Sequence, residues 1–194
     1  MIGGKGWIAV PGIRENADRT LEEQLLGLEF AIAEAAGKTV LDLGCAEGVI
    51  GREFARAGAT RVLGVESLPG HLEVARLACA AETQMEFAQA YLQDWIPAHP
   101  DPEVFDLVLA LGIIHKVYDP GEALHFACRS CRDLLLFRAP AHAWEGWVQA
   151  KHRAPGAPAR LRVHVPTAME EEGFALERKI AGARGEAVEY WRRR

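Results

Sequence analysis

The stretch Val40-Leu41-Asp42-Leu43-Gly44-Cys45-Ala46-Glu47-Gly48-Val49-Ile50-Gly51 decides the fold. An apolar run stops at Gly44, the chain turns through Gly48, and VIGREFARAG continues with helical periodicity to Gly58. That reads as a strand, a tight turn and a helix. Such a turn lies at the carboxyl edge of a sheet, where ligands bind in open α/β folds, and its glycines expose backbone N–H groups with no Cβ in the way. A nucleotide-like ligand is implied. The turn lacks the Gly-Lys-Ser/Thr of a P-loop, and Gly44, Gly48 and Gly51 miss the G-x-G-x-x-G spacing of a dinucleotide fingerprint.

Outward from this unit the pattern repeats in kind. RVLGVE, MEFA, FDLVLALG and DLLLF read as strands, most of them nearly all apolar, as expected when both faces of a parallel sheet are covered. GHLEVARLACAAE and GEALHFACRSC read as the helices between them. Upstream, TLEEQLLGLEFAIAEAAG opens on a capping box, Thr20 to Glu23, and places Leu21, Leu25, Leu28 and Ile32 on one face of a helix ending at Gly37. Downstream, EGFALERKIAG and EAVEYWRR form an antiparallel hairpin about a turn from Gly182 to Gly185. The expected class is α/β, doubly wound, with a mostly parallel seven-stranded sheet and a C-terminal antiparallel hairpin. Residues 1–19 read as irregular. Residues 141–166 hold Trp144, Trp147, a Pro/Gly-rich centre and several cations, and read either as a substrate lid or as a solvated insertion.

The 194 residues are 49% hydrophobic and 25% charged, enough for one domain spanning 1–194. A net charge of -5, from 22 Lys+Arg against 27 Asp+Glu, excludes a broadly basic nucleic-acid binder. No apolar run approaches the ~18 residues of a membrane span and the N-terminus lacks a signal pattern, so a cytoplasmic, non-membrane protein is expected. Cys45, Cys79, Cys128 and Cys131 read as reduced thiols. Cys128 and Cys131 with His125 suggest half a zinc site, but no second ligand pair completes it, and small buried thiols on a helix explain the same letters.

The segment Asp42, Gly44, Ala46, Gly48 resembles the first motif of class I S-adenosylmethionine-dependent methyltransferases, an acidic residue followed by G-x-G-x-G, with Ala46 in place of the middle glycine. Glu66 ends the second strand, 22 residues beyond Gly44, where that family places a carboxylate for both ribose hydroxyls. The order of elements over residues 20–192 is similar too. The resemblance implies S-adenosylmethionine as cofactor. Asp42 would lie near its methionine end, and Gly44, Cys45, Ala46 and Gly48 would line its adenosine and carboxypropyl parts. Glu66 would hold the ribose, with Ser67 and Leu68 bordering the adenine. Asp94 in YLQDW is either the polar residue that meets the adenine amino group or an aspartate that merely starts a helix.

On the acceptor side, LALGIIHKVYDP (109–120) lacks the Asn/Asp-Pro-Pro-Tyr/Phe tetrapeptide of amino-methylating enzymes. Phe105 to Leu124 resembles instead the enzymes that modify the wobble uridine of transfer RNA by carboxymethyl transfer, and His115 after the strand is shared with small-molecule methyltransferases. Methyl transfer is an in-line displacement needing alignment and, for a hydroxyl acceptor, a base. His115 fits base or orienter, or it hydrogen-bonds its own loop. Tyr118, Arg138, His142 and Trp144 are the acceptor-contact candidates, since a guanidinium and aromatic rings suit a flat anion. Arg153, Arg160, Arg162 and Arg192–Arg194 form either a basic strip for RNA or a solvated surface. No metal is required. The expected function is methyl transfer to an oxygen or nitrogen of a small, anionic metabolite, with RNA modification second and a non-catalytic binding subunit as the other class.

Overall fold

The computed structural model describes residues 4–141, 143 and 145–194, with the side chain of Ala139 excepted. The chain divides into two compact units, one ending at Tyr91 and the other starting at Leu92.

The first unit contains β1 (Gly6–Ile8), β2 (Ala17–Arg19), α1 (Leu21–Leu25), α2 (Glu29–Ala33), β3 (Thr39–Leu43), α3 (Val49–Arg56), β4 (Arg61–Glu66), α4 (Pro69–Ala78) and β5 (Met85–Gln89). β3 and β5 flank β4, all parallel, so Leu43, Glu66 and Gln89 finish at one carboxyl edge. The second unit contains α5 (Leu92–Ala98), β6 (Phe105–Leu111), α6 (Pro120–Arg129), β7 (Cys131–Ala139), β8 (Trp147–Gln149), β9 (Arg162–His164), α7 (Val165–Glu171), β10 (Phe174–Ala181) and β11 (Ala187–Arg193). β6 and β7 are parallel, β11 is antiparallel to β7, and β10 is antiparallel to β11. The main sheet has seven strands in the order β10-β11-β7-β6-β3-β4-β5. The α/β class, the mostly parallel sheet and the terminal hairpin hold.

Three stretches differ from the sequence expectation. The capping box forms, with Glu23 N–H on the Thr20 hydroxyl at 3.1 Å and Thr20 N–H on Glu23 Oε2 at 3.0 Å. The helix it starts, however, breaks at Gly27 (φ +83°) and resumes as α2. Hydrophobic spacing continues across a glycine that the backbone uses to turn, so periodicity alone joins what geometry separates. The 1–19 stretch is not irregular throughout, because β1 and β2 pair in parallel on either side of a turn. The 141–166 stretch carries an antiparallel ribbon, Trp147 opposite His164 and Gln149 opposite Arg162, with Val148 and Val163 buried between them.

The sheet's core follows from strand composition. β3 is buried from Val40 to Leu43 and β6 from Leu107 to Ala110, while α3 packs Val49, Ile50, Phe54 and Ala55 inward. Phe54 is 0% exposed, whereas Phe30 on α2 is 53% exposed. Replacing Phe54 by Ala should therefore cost ~3–5 kcal/mol in urea unfolding, and Phe30→Ala should stay within ~0.5 kcal/mol of wild type.

Candidate functional site

The turn after β3 is built on three positive φ angles. Gly44 (φ +73°) and Gly48 (φ +69°) adopt the left-handed region freely, and Ala46 adopts it at φ +49° against the Cβ penalty. Gly48 is required twice, since a Cβ there would stand 2.9 Å from the Phe87 ring. Gly64 on β4 leaves room for Cys45, whose Sγ would lie 2.7 Å from a Cβ added there. The N–H groups at this turn are mostly taken within the protein: Gly44 and Cys45 donate to Val65 O at 2.8 and 3.1 Å, and Gly48 donates to Cys45 O at 2.8 Å. The expected row of exposed N–H groups is thus absent at these positions. A phosphate cradle is not what this turn forms; it seats a carboxylate.

That carboxylate is Glu66, at the last position of β4. Ala46 N–H donates to its Oε2 at 3.0 Å, and the Ser67 N–H, Leu68 N–H and Ser67 hydroxyl donate to Oε1 at 2.7, 2.9 and 3.1 Å. Burial would raise its pKa, but the facing His71 and the Leu68 and Ser67 donors outweigh that and hold it at about 2, against an ordinary 4.5. Asp42 is buried on β3, with Oδ2 3.4 Å from where a Gly51 Cβ would stand. Cys45 is buried beside them, and burial first, then the negative charges of Asp42 and Glu66, push its thiol up, so it stays protonated. The first unit therefore brings together Asp42, Gly44, Cys45, Ala46, Gly48, Glu66 and Ser67, as the sequence implied. Leu68 is exposed next to them.

Sequence reading missed a second carboxylate in the same turn. Glu47 is fully buried and accepts Trp7 N–H and Ile8 N–H, both at 2.9 Å, so β1 is fastened to the turn by one side chain. Arg14 stands at 3.5 Å from Glu47 Oε1 and donates to Gly70 O at 2.9 Å. His71, in the first turn of α4, places Nε2 3.7 Å from Glu47 and Nδ1 3.9 Å from Glu66. Apart from His71 with Glu66, these pairings span 24 to 56 residues and leave no periodic trace. A charged residue between the glycines of a tight turn was the one available signal.

The remaining candidates are carried by the second unit. Asp94 is an exposed residue in the first turn of α5, with no hydrogen bond or ion pair among the described residues. His115 is half-buried in the 3-10 turn Ile114–Lys116, and its carbonyl accepts Lys151 N–H at 2.6 Å, tying the strand-end loop to the segment after β8. Tyr118 is half-buried. Asp119 caps α6, accepting Gly121 N–H and Glu122 N–H at 2.9 and 3.0 Å. Arg138 is buried on β7 opposite Leu111, so it shares an edge with the loop carrying His115. His142 and Trp144 lie outside the described residues.

Two other groups of sequence candidates have partners within the chain. Cys128 and Cys131 are buried thiols held at about 12 by burial, Cys128 lies 3.6 Å from Met169 Sδ, and His125 bonds Glu172 at 2.8 Å. Among the described residues no group of three or more His, Cys, Asp or Glu is placed to hold a metal. The basic strip is shortened, because Arg192 pairs with Asp133 and Glu177 while Arg193 donates to the carbonyls of Cys128, Cys131 and Glu172. No helix among the described residues is long and apolar enough to cross a membrane.

A family model described as "Methyltransferase domain" matches residues 40–135, from β3 into β7. The ubiquinone biosynthesis O-methyltransferase of Neisseria meningitidis serogroup C is 31% identical over 103 residues, 53% of this chain and 42% of that protein. The protein of the same name from Vibrio cholerae serotype O1 is 38% identical over 115 residues, 57% and 44% of the two chains. The chain thus spans less than half the length of these relatives. Magnesium protoporphyrin IX methyltransferase from Synechocystis PCC 6803, solved with bound SAH, superposes with a TM-score of 0.65 at 16% identity, over 89% of this chain and 84% of that one. An S-adenosylmethionine dependent methyltransferase from Mesorhizobium loti gives 0.57 at 20% identity, over 86% and 95%. Sheet order, turn and superpositions define a Rossmann-like α/β fold. The methyltransferase domain match covers residues 40–135, just under half of the chain, and the fold is the one shared with the superposed methyltransferases.

Glu66 also dictates an acid response. Its folded pKa, about 2, lies below the ordinary 4.5, so its contribution to stability is complete above about 4.5 and is lost as pH falls toward about 2. Glu66→Gln should therefore lose less stability than wild type between neutral pH and about pH 2, read by urea unfolding at each pH.

Proposed function

We propose that this chain binds S-adenosylmethionine at the turn of residues 44–48 and transfers its methyl group to an oxygen or nitrogen of a small, anionic acceptor. The observation that carries the reading is the Glu66 carboxylate, fixed by four donors at the carboxyl edge of β4. A carboxylate so held offers its remaining lone pairs to a cis-diol, which is what a ribose presents. The fit continues at Leu68, an exposed apolar side chain two residues on, suited to the face of an adenine. The turn's N–H groups at Gly44, Cys45, Ala46 and Gly48 are already engaged, which disfavours a nucleotide phosphate and suits a nucleoside without one. Asp42 would lie toward the cofactor's methionine end. Asp94, exposed and without a polar partner among the described residues, stays available for an adenine amino group.

When bound, the cofactor supplies an electrophilic methyl on a sulfonium. This chain's own residues must orient the acceptor and, for a hydroxyl, remove its proton. His115 is proposed as base or orienter, with Tyr118, Arg138, His142 and Trp144 as acceptor contacts. The bond between His115 O and Lys151 N supports treating the ribbon of β8 and β9 as part of the acceptor side, because ordering one orders the other. Oxygen is favoured over nitrogen by the names of the matched relatives. A second reading, RNA modification, draws on exposed Lys151, Arg153, Arg160 and Arg162. It loses Arg192 and Arg193 to internal partners.

Calorimetric titration with S-adenosylmethionine, S-adenosylhomocysteine and NAD tests the cofactor assignment. The two sulfur nucleosides should bind in the micromolar range and NAD should not. Glu66→Ala should weaken binding about tenfold or more while circular dichroism shows the fold retained. Equal affinity in the variant would remove the ribose assignment.

A further inference from the structure

His71 belongs to none of the roles assigned so far, yet it stands between two buried carboxylates of the first unit. Its side chain is 16% exposed. Nε2 faces Glu47 Oε1 at 3.7 Å and Nδ1 faces Glu66 Oε2 at 3.9 Å, and Nδ1 makes no hydrogen bond among the described residues. The charged groups about it come from three other places: Glu47 from the turn before α3, Glu66 from the end of β4, and Arg14 from the segment between β1 and β2. Arg14 reaches the same helix start, donating to the carbonyl of Gly70, the residue before His71.

Two carboxylates and one guanidinium leave a unit of negative charge, which a protonated imidazole cancels and a neutral one does not. Both carboxylates are otherwise held by backbone donors, Glu47 by Trp7 and Ile8 and Glu66 by Ala46, Ser67 and Leu68. His71 is the side chain that faces both. A ligand covering the rim of Glu66 would displace water from it, lower the local dielectric and strengthen the attraction between the carboxylates and a cation held between them.

We propose that His71 is a positioning residue for the cofactor site, whose imidazolium bridges Glu47 and Glu66 so that cofactor binding takes up a proton and weakens as pH rises. The proposal rests on the cofactor reading above and adds to it a link between the ribose acceptor and the anchored N-terminal segment. A bridging imidazolium fixes Glu66 against the turn and Glu47 against β1. Loss of the proton leaves two buried carboxylates with Arg14 as the one fixed cation facing them among the described residues, and lets the Glu66 side relax.

The test uses S-adenosylhomocysteine, which carries no sulfonium charge of its own. Calorimetry on wild type at about pH 6 and about pH 8 should give an affinity about fivefold higher at the lower pH. Repeating the titration near neutrality in buffers of different ionisation enthalpy should show net uptake of a fraction of a proton per ligand bound. His71→Gln should be weaker at the lower pH, flat across the range and without proton uptake. His71→Lys, carrying a fixed charge, should keep its affinity at the higher pH. Should the variants fail to fold, the wild-type imidazole resonances followed by NMR serve instead, and the His71 titration should move to higher pH when the ligand is added. A His71→Gln protein that keeps the wild-type pH dependence and proton uptake, or a His71 resonance indifferent to ligand, would overturn the proposal alone. Wild type that binds no S-adenosylhomocysteine at either pH would overturn the cofactor reading and the proposal with it.

Discussion

The carboxylate of Glu66 is where strand, turn and helix are tied together. Oε2 holds the strained Ala46, and Oε1 collects the first donors after β4, so a single side chain sets both the path of the turn after β3 and the start of α4. Left-handed backbone at Ala46 costs energy that a glycine would not, and the hydrogen bond from Ala46 N–H is the interaction that offsets it. A group held by so many donors is kept ionised and still, which is the condition under which it can receive a diol without reorganising.

Glu47 does for the N-terminal segment what Glu66 does for the turn. Full burial of a carboxylate is tolerated only with donors on its oxygens and compensating charge nearby. Here β1 supplies the donors, and Arg14 and His71 face it. The turn after β3 is thus held from two sides, by β4 through Glu66 and by β1 through Glu47.

Much of this was legible in the sequence, for identifiable reasons. β3, β4 and β6 are short apolar runs ending at a glycine, an acid or a loop, and such runs mark strands covered on both faces. The cofactor candidates Asp42 to Gly48 and Glu66 follow one chain order and lie together for that reason. Tertiary choices were not legible. The break at Gly27 left the hydrophobic period intact, the ribbon of β8 and β9 is hidden by a Pro/Gly-rich centre, and Arg14 meets Glu47 across 33 residues of sequence. His71 read as one residue of a helix, because the two carboxylates that give it meaning come from other elements.

The central claim is that the Glu66 carboxylate is the ribose acceptor of a nucleoside-type cofactor. A crystal structure of the protein with S-adenosylhomocysteine tests it most directly. The account predicts both ribose hydroxyls within hydrogen-bond distance of the Glu66 oxygens, the adenine against Leu68 and the carboxypropyl chain over the turn of residues 44–48. Density placing the ribose away from Glu66, with that carboxylate still closed on Ala46, Ser67 and Leu68 alone, would contradict it.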